Sequence, residues 1–242
     1  MASNPTPIKA PVPITGDQLK KLFRNADDDL LEKIASELNT DLAKYGLDTP
    51  LRKAHFFAQI MQEVGPGFDE LVESLNYRPQ SLIDTFGYYK AHPAEATQDG
   101  AGVDPATNKI VRHANEQVVA NKAYANRNGN GDIASGDGFR FRGRGCIQVT
   151  FRGNYRALAA RYKSVYGEDA DFENNPELLA SCPHAVRSAV CFWLQNKLQI
   201  LADQGDSDEN VNAITHVVNA KTNSGLLRIA NFHKALPVFQ GS

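Results

Sequence analysis

Apolar side chains recur every three or four residues over most of the chain, which is the spacing of a helix that buries one face. The clearest example is residues 50–64, where Thr49 and Pro50 form a cap and first-turn pair. A capping-box spacing from Thr15 to Gln18 predicts an earlier helix. Other helices are predicted at 27–45, 70–75, 79–86, 115–125, 154–166, 175–181, 184–197, 209–218 and 223–235. The pattern predicts a mainly α protein with at most a small β element.

Three stretches depart from this helical pattern. Residues 1–13 contain prolines at four positions, which predicts an extended tail before a single domain of residues 14–242. Residues 87–115 have weak periodicity and are predicted to be a long loop or an insertion. Residues 140–151, RFRGRGCIQVTF, alternate between apolar and polar side chains, as a half-buried strand does.

Composition and charge exclude several classes of protein. The 242 residues carry a formal net charge of -2, so no broad positive field attracts nucleic acid or anionic lipid. No apolar run approaches the ~18 residues that a membrane-spanning helix needs. The first residues lack the basic start and apolar stretch of a signal peptide, so synthesis in the cytoplasm is expected. Three cysteines, an odd and small number, argue against a disulfide framework.

Two glutamates stand on either side of a Gly-Pro-Gly turn. Glu63 continues the apolar helical face of Ile60, so we expect apolar walls around its carboxyl group. Such walls disfavour ionisation, which suits a general acid, although a frayed helix end that points to water has the same spacing. Glu73 lies beyond the turn on a separate segment, with Asp69 and Glu70 as rivals. Two carboxylates on separate supports suit glycoside hydrolysis.

A polar pair and a group of arginines mark the segment 140–151. If this segment is extended, Gln148 and Thr150 share one face and present an amide and a hydroxyl group to water or to a sugar acetamido group. Four arginines lie in or beside it: Arg140, Arg142, Arg144 and Arg152. They either meet carboxylates of a substrate or pair with nearby acids, and pairing is the commoner use.

Three stretches carry a resemblance to a known family. AHFFAQIMQEVGPGFDELVESLNY, YANRNGNGDIASGDGFRFRGRGCIQVTFRGNY and AITHVVNAKTN resemble, in this order, the motifs of glycoside hydrolase family 19. The closest likeness is to phage and prophage endolysins of this family, and it covers residues 14–235. It implies a mainly α, lysozyme-like catalytic domain with two lobes. It also implies cleavage of β-1,4 bonds next to N-acetylated sugars, with inversion.

The resemblance implies roles for particular residues. Glu63 matches the general acid, Glu73 the base that activates water, and Thr150 the hydroxyl group that helps to hold this water. Residues matching those that line the sugar cleft are Gln148, Asn154 and Asn219. Further members of the family motifs, which the resemblance also implies as substrate-binding residues, are Asn76, Tyr77, Tyr124 and Arg144. The resemblance implies no metal and no organic cofactor.

The chain departs from the family pattern at positions near the predicted cleft. Gln62 replaces the usual histidine before the acid. The turn after Glu63, which contains Pro66, is one residue longer than usual. Phe151 stands where a glycine is usual, and Ala220 stands in the usual Asn-Gly-Gly. These differences bear on substrate preference and on activity.

Peptidoglycan is the expected substrate, because the likeness to endolysins is the closer one. Three other functions stay open: a chitinase acting on N-acetylglucosamine polymers, a non-catalytic glycan-binding relative, and a cysteine amidase with Cys146 as its nucleophile. We expect a monomer that binds peptidoglycan or a chitin-type polysaccharide, without nucleic acid and without membrane insertion. It would be made in the cytoplasm and act on the cell wall after release by a holin or a secretion system.

Overall fold

The chain folds into two compact units. The computed structural model describes residues 10–241, so the first nine residues of the predicted tail lie outside the described residues. Residues 10–13 form neither helix nor strand. Among the described residues, the first unit comprises residues 10–70 and 189–241, and the second unit is Leu71–Ser188.

Helices dominate both units, and the mainly α, lysozyme-like prediction is confirmed. The helices are α1 (Gly16–Leu22), α2 (Asp28–Asn39), α3 (Pro50–Val64), α4 (Pro79–Thr85), α5 (Gly87–Ala91), α6 (Pro93–Asp99), α7 (Glu116–Tyr124), α8 (Asp137–Arg140), α9 (Arg152–Tyr166), α10 (His184–Gln195), α11 (Leu198–Ala202), α12 (Asp208–Val218) and α13 (Gly225–Gln240). Strands β1 (Gly102–Val103) and β2 (Ile110–Arg112) pair antiparallel. Within residues 10–241, no helix combines the length and the apolar character that crossing a bilayer requires.

Capping groups fix where the first helices begin. The N–H of Gln18 donates to Oγ1 of Thr15 at 3.2 Å, and the N–H of Thr15 donates to Oε1 of Gln18 at 3.0 Å, which completes the capping box. Thr49 caps α3 by accepting from the N–H of Arg52 at 3.2 Å. Gly65 ends α3 at a φ of 68°, a conformation that favours glycine. Helix α3 therefore has the bounds that its sequence predicts.

The core of the first unit forms around α3, which packs against α13. Phe57 of α3 stacks on Phe239 of α13, with 5.4 Å between the ring centroids. Phe23 meets Phe57 and Phe68 edge to face, at centroid distances of 6.2 and 5.0 Å. Each such aromatic pair contributes about 0.5–1.5 kcal/mol beyond the burial of its area. These contacts anchor the helix that carries Glu63.

The second unit has a core of its own, built mainly from α4 to α7. Leu82, Phe86 and Tyr89 of the shorter helices pack with Val119 of α7. Helices α7 and α8 approach so closely that a Cβ atom at Gly138 would meet the backbone of α7. Glycine is therefore required at this crossing, because any side chain would force the two helices apart.

The prediction of residues 87–115 as a long loop is wrong. This stretch contains α5, α6 and both strands. Helices α5 and α6 are only 5 and 7 residues long, which is too short to show a repeating apolar face. All three residues of β2 are exposed, so no alternation of apolar and polar side chains marks that strand.

The prediction of a strand over residues 140–151 is also wrong. Arg144 forms isolated antiparallel bridges with Val72 and Val149, and the residues between Arg144 and Val149 are a turn. Gln148 lies at a φ of 50°, in the left-handed region, and this breaks an extended course. The same bridge replaces the helix that was predicted over residues 70–75.

Helix ends and short helices account for the remaining differences. The second helix ends at Asn39 rather than near residue 45. Residues Pro176–Ala180 form a 3-10 helix instead of an α-helix. Helices α8 and α11, of 4 and 5 residues, were not predicted, again because one turn carries no periodicity.

The crossing of α7 and α8 gives a test of the second unit's packing. We expect Gly138→Ala to lower the free energy of unfolding by about 2 kcal/mol or more, as overpacking of a tight core does. The added Cβ atom would lie 2.6 Å from Cα of Asn121, which is backbone and does not yield easily. Urea unfolding followed by circular dichroism measures the change.

Gly87→Ala is the matched control, because a Cβ atom at this position of α5 meets nothing within 4 Å. It should leave the urea midpoint nearly unchanged. Equal effects of the two substitutions would show that the close approach of α7 and α8 is not what requires glycine.

Candidate active site

Glu63, in the last turn of α3, faces a buried cation. Its carboxylate forms an ion pair with the guanidinium of Arg228 on α13. The Arg228 side chain is 2% exposed and that of Glu63 is 17% exposed. Arg228 also donates to Oε1 of Gln59 at 2.8 Å and to Oγ of Ser224 at 3.2 Å. The expectation of apolar walls around Glu63 is therefore wrong, because a helix 165 residues further along the chain supplies a charge there.

Gln59 links this ion pair to a third helix. Its Nε2 donates to Oγ1 of Thr215 on α12 at 3.2 Å. Asn219, the predicted cleft residue, follows α12 as its C-cap, and its N–H donates to the carbonyl oxygen of Thr215 at 2.7 Å. The Asn219 side chain is exposed and accepts from the N–H of Lys221 at 3.3 Å. Glu63 and Asn219 thus lie on helices joined by Gln59, without a direct hydrogen bond between them.

Glu73, in the second unit, is held by one donor on each carboxylate oxygen. The hydroxyl group of Tyr124 donates to Oε1 at 2.5 Å, and the N–H of Gly143 donates to Oε2 at 3.0 Å. The N–H of Glu73 in turn donates to the carbonyl oxygen of Gly143 at 2.8 Å. Burial, and then the Glu73 carboxylate, raise the pKa of Tyr124 far above its usual range. Tyr124 therefore keeps its proton and remains a donor to Glu73 at every pH at which the protein would be assayed.

Gly143 lets Gln148 approach Glu73. A Cβ atom at Gly143 would lie 2.6 Å from Oε1 of Gln148 and 3.3 Å from Oε2 of Glu73. The turn after Arg144 aims the amide group there, since Arg144 and Val149 exchange backbone hydrogen bonds of 3.1 and 2.8 Å. The structure thus brings Gln148 beside Glu73, by means of a turn and not by the predicted strand.

Thr150 and Asn154 continue from this turn into α9. Oγ1 of Thr150 donates to the carbonyl oxygen of Gln148 at 3.0 Å, which leaves its lone pairs free to accept from a water molecule. Asn154 donates to the carbonyl oxygen of Thr150 at 2.8 Å and accepts from Asn128 at 2.9 Å. Asn154 is exposed and holds the backbone on which Thr150 stands.

Asn76 and Tyr77 follow Glu73 along the chain. Oδ1 of Asn76 accepts from the N–H of Ala114 at 2.8 Å, and its amide nitrogen lies 2.9 Å from Nδ1 of His113. Asn76 therefore ties the Glu73 segment to the strand region. Burial, and then the charge of Glu73, raise the pKa of Tyr77, so its phenol stays neutral.

Arg144 does not line a cleft, contrary to the expectation that it contacts substrate. Its side chain is 0% exposed and forms an ion pair with Glu177. Its Nη1 donates to the carbonyl oxygen of Arg140 at 2.8 Å and to the hydroxyl group of Tyr155 at 3.0 Å. With its donors taken up inside the unit, Arg144 fixes the loop that carries Gly143 and cannot reach a sugar.

The other arginines of this group also bind the protein itself. Arg152 pairs with Glu173 at 2.8 Å and with Asp137 at 3.4 Å. Arg140 donates to the carbonyl oxygens of residues 173 and 174. Arg142 lies over the ring of Phe139, 4.1 Å from its centroid. Arg144 and Arg152 thus pair with acidic residues of the protein, which is the commoner of the two uses expected for these arginines.

Cys146 is unsuited to nucleophilic catalysis. Its side chain is fully buried, and burial raises the pKa of its thiol well above the usual range. A reactive cysteine needs the opposite, an accessible thiolate. The cysteine amidase alternative is therefore excluded by the position of its only proposed nucleophile.

Two functional candidates were not predicted from the sequence. Arg228 is the one arginine of α13 and lies among the apolar residues Leu226, Leu227 and Ile229, and this is the signal that could have drawn attention to it. Arg127 lies in a turn rich in asparagine and glycine, where a single basic residue carries no pattern. Within residues 10–241, no group of three or more His, Cys, Asp or Glu side chains is arranged to hold a metal ion.

A mainly α, lysozyme-like protein with these carboxylates falls in the class of glycoside hydrolases. The chain is 31% identical over 218 residues to a glycosyl hydrolase family 19 domain-containing protein of Haemophilus influenzae, covering 90% of this chain and 92% of that one. The chain therefore belongs to glycosyl hydrolase family 19. No family model matches it.

The fold is similar to that of solved chitinases. Chitinase C from Streptomyces griseus superposes with a TM-score of 0.51 at 16% identity, over 94% of this chain and 76% of that one. A bacterial family 19 chitinase reaches a TM-score of 0.47 at 15% identity, over 93% and 94% of the two chains. At 16% identity, the similarity to chitinase C concerns the fold alone. We draw no conclusion from the weaker similarity to the second chitinase.

The hydrogen bond between Tyr124 and Glu73 generates a kinetic prediction. We expect Tyr124→Phe to lower kcat by about tenfold or more, because a hydrogen bond to a charged group contributes roughly 1.5–3 kcal/mol. KM should change little, since the phenol is turned to Glu73. Steady-state kinetics on the polysaccharide that the enzyme hydrolyses measures both constants.

Tyr89→Phe is the control for loss of a buried phenol. Tyr89 donates to Asp99 at 2.9 Å in the same unit, away from Glu73. Tyr89→Phe should leave kcat unchanged, even if it lowers the stability of the protein. An unchanged kcat in Tyr124→Phe would show that the hydrogen bond from Tyr124 to Glu73 does not contribute to catalysis.

Proposed function

We propose that this glycoside hydrolase cleaves the β-1,4 bonds of peptidoglycan by an inverting mechanism, with Glu63 as general acid and Glu73 as general base. The observation that carries the proposal is the setting of Glu73. Its two oxygens are oriented by Tyr124 and Gly143, and the amide group of Gln148 lies alongside. A base that activates water needs this kind of fixed orientation.

The proposed reaction uses one water molecule. Glu73 takes a proton from this water as its oxygen attacks the anomeric carbon, and Thr150 accepts a hydrogen bond from the same water. Glu63 gives a proton to the glycosidic oxygen as the bond to the anomeric carbon breaks. The product then has the opposite anomeric configuration, which defines an inverting mechanism.

Arg228 sets a condition on the acid role of Glu63. In the ion pair, the Glu63 carboxylate group is turned to the guanidinium of Arg228. Glu63 must therefore leave Arg228 to reach the glycosidic oxygen when the sugar binds. Arg228 keeps Gln59 and Ser224 as hydrogen-bond partners when this happens, so its buried charge is not left without acceptors.

Arg127 supports peptidoglycan over chitin as the substrate. Its guanidinium lies 4.8 Å from the ring centroid of Phe151 and 5.8 Å from that of Tyr124, which binds Glu73. The one hydrogen bond of its side chain, at 3.4 Å, goes to the carbonyl oxygen of Ala123, and no acidic side chain pairs with it among residues 10–241. Peptidoglycan carries acidic stem peptides and chitin carries no carboxylates, so only peptidoglycan offers Arg127 a partner.

A peptidoglycan substrate also implies where the enzyme acts and how it is released. The enzyme would act on the cell wall as a lysin, with a holin or a secretion system as its route there. Chitin is the second candidate, favoured by the likeness of the fold to chitinase C. That likeness is one of fold at 16% identity, and it gives no account of an unpaired arginine beside the site.

Product analysis tests the substrate and the stereochemistry together. We expect purified peptidoglycan to yield new reducing-end muropeptides with intact stem peptides in mass spectrometry, and proton NMR of the first product to give the inverted anomer. Cleavage of a chitin oligomer alone would make the enzyme a chitinase. Freed stem peptides, or a retained anomer, would contradict the proposed reaction.

Substitution of the two carboxylates tests their roles. Glu63→Gln and Glu73→Gln should each lower kcat by roughly 10²–10⁴-fold, because a general acid or base contributes this much. Glu70→Gln, which removes a neighbouring exposed carboxylate, is the matched control and should stay within about threefold of wild type. Activity above a tenth of wild type in Glu63→Gln would overturn its role as acid.

Arg127→Gln separates the two substrates. We expect it to lower kcat/KM on peptidoglycan by about tenfold, the effect of losing one charge-assisted contact, and to leave hydrolysis of a chitin oligomer unchanged. Arg161→Gln, another arginine of the second unit, is the control. Equal losses on both substrates would mean that Arg127 supports Phe151 and does not recognise carboxylates.

A further inference from the structure

The first unit contains a pocket that the acid/base mechanism does not use. It has a volume of about 400 Å³ and lies between the end of α1, the end of α3 and one face of α13. Leu227, Asn231 and Lys234 are spaced 0, 4 and 7 residues apart on α13, so they present a single helical face to it. Arg228, which pairs with Glu63, follows Leu227 directly. The pocket is thus a close neighbour of the proposed acid, within the same unit.

Two cations line this pocket and no acid does. Arg24 and Lys234 are its ionisable residues. Arg24 makes no ion pair with any residue in the part of the chain that the structure describes, and Nζ of Lys234 donates only to the carbonyl oxygen of Leu22, at 3.2 Å. Burial, and then the charge of Arg24, lower the pKa of Lys234. An anion between the two side chains would relieve this repulsion.

The rest of the lining fits a ligand that is more than an ion. Leu22, Phe23 and Met61 give the pocket an apolar wall, and Leu227, 58% exposed, stands at its rim. Gln62 and Asn231 also line the pocket and carry amide groups. Such a lining suits a ligand that has aliphatic groups, amide groups and a carboxylate group, and a short acidic peptide has all three.

Two residues that line the pocket lie at positions where the sequence departs from the family motifs that it resembles. Gln62 stands where a histidine is usual, and Pro66 lies in the turn that is one residue longer. Both line the pocket. The carbonyl oxygen of Pro66 accepts from the N–H of Asn25 at 3.0 Å, which fixes the backbone next to Arg24. The turn after Glu63 is therefore tied to the backbone beside Arg24.

We propose that this pocket binds the acidic stem peptide of the substrate, with Arg24 and Lys234 holding a carboxylate and the apolar wall holding an aliphatic side chain. The identification of the peptide as a stem peptide rests on the proposed peptidoglycan substrate. The pocket would then select glycan strands that still carry peptides, and it would act on binding and not on the chemical step.

The first experiment measures binding apart from hydrolysis. Calorimetric titration of the wild-type protein with a free stem tetrapeptide, which has no glycosidic bond, should give saturable binding that weakens with salt. Arg24→Gln/Lys234→Gln should weaken it by at least about tenfold. Lys21→Gln/Lys33→Gln removes the same charge from exposed positions of the same unit and should have no such effect. Absence of peptide binding, or equal weakening by both pairs, would overturn the proposal.

Two further measurements define the ligand and the role. Inorganic phosphate that competes as well as the tetrapeptide would show a general anion site and overturn the peptide assignment. In kinetics, the pocket variant should raise KM on intact peptidoglycan with kcat unchanged, and should leave peptide-free glycan strands unaffected. If the protein binds the tetrapeptide at this pocket but does not cleave peptidoglycan, the peptide pocket is supported and the proposed function is wrong.

Discussion

Each unit of this protein is organised around one buried arginine whose charge has to be met inside the fold. Burial of a guanidinium without partners is strongly unfavourable, so the groups around it must be placed with care. Arg228 is met by Glu63, Gln59 and Ser224, and this set ties α3 to α13. Arg144 is met by Glu177, Tyr155 and backbone carbonyls. Their positions determine where the two proposed catalytic carboxylates lie.

Arg144 shows how a structural residue shapes a site that it does not enter. Its backbone bridges Val72, which precedes Glu73, and Val149, which lies between Gln148 and Thr150. The segment that carries Glu73 and the turn that carries Gln148 and Thr150 are therefore brought together at one residue. Gly143, next to it, both donates to Glu73 and leaves room for Gln148. Arg144, which was expected to bind substrate, instead positions the segments that carry Glu73, Gln148 and Thr150.

Three positions at which the sequence departs from the family motifs that it resembles lie next to positively charged side chains. Phe151, in place of a glycine, supplies the ring on which Arg127 lies. Gln62 and Pro66 line the pocket that contains Arg24 and Lys234. Each unit thus has a cation without an acidic partner among residues 10–241. The peptidoglycan proposed as substrate would offer carboxylates to both.

The sequence by itself determined the helices that are long enough to repeat an apolar face, and it determined the family. Helix α3 has the predicted bounds because a threonine cap and a glycine stop are local signals. Only the tertiary structure decided what surrounds each carboxylate. Arg228 lies 165 residues from Glu63, and Tyr124 lies 51 residues from Glu73. Periodicity reports which face of a helix is buried, but it does not report which distant side chain that face will meet.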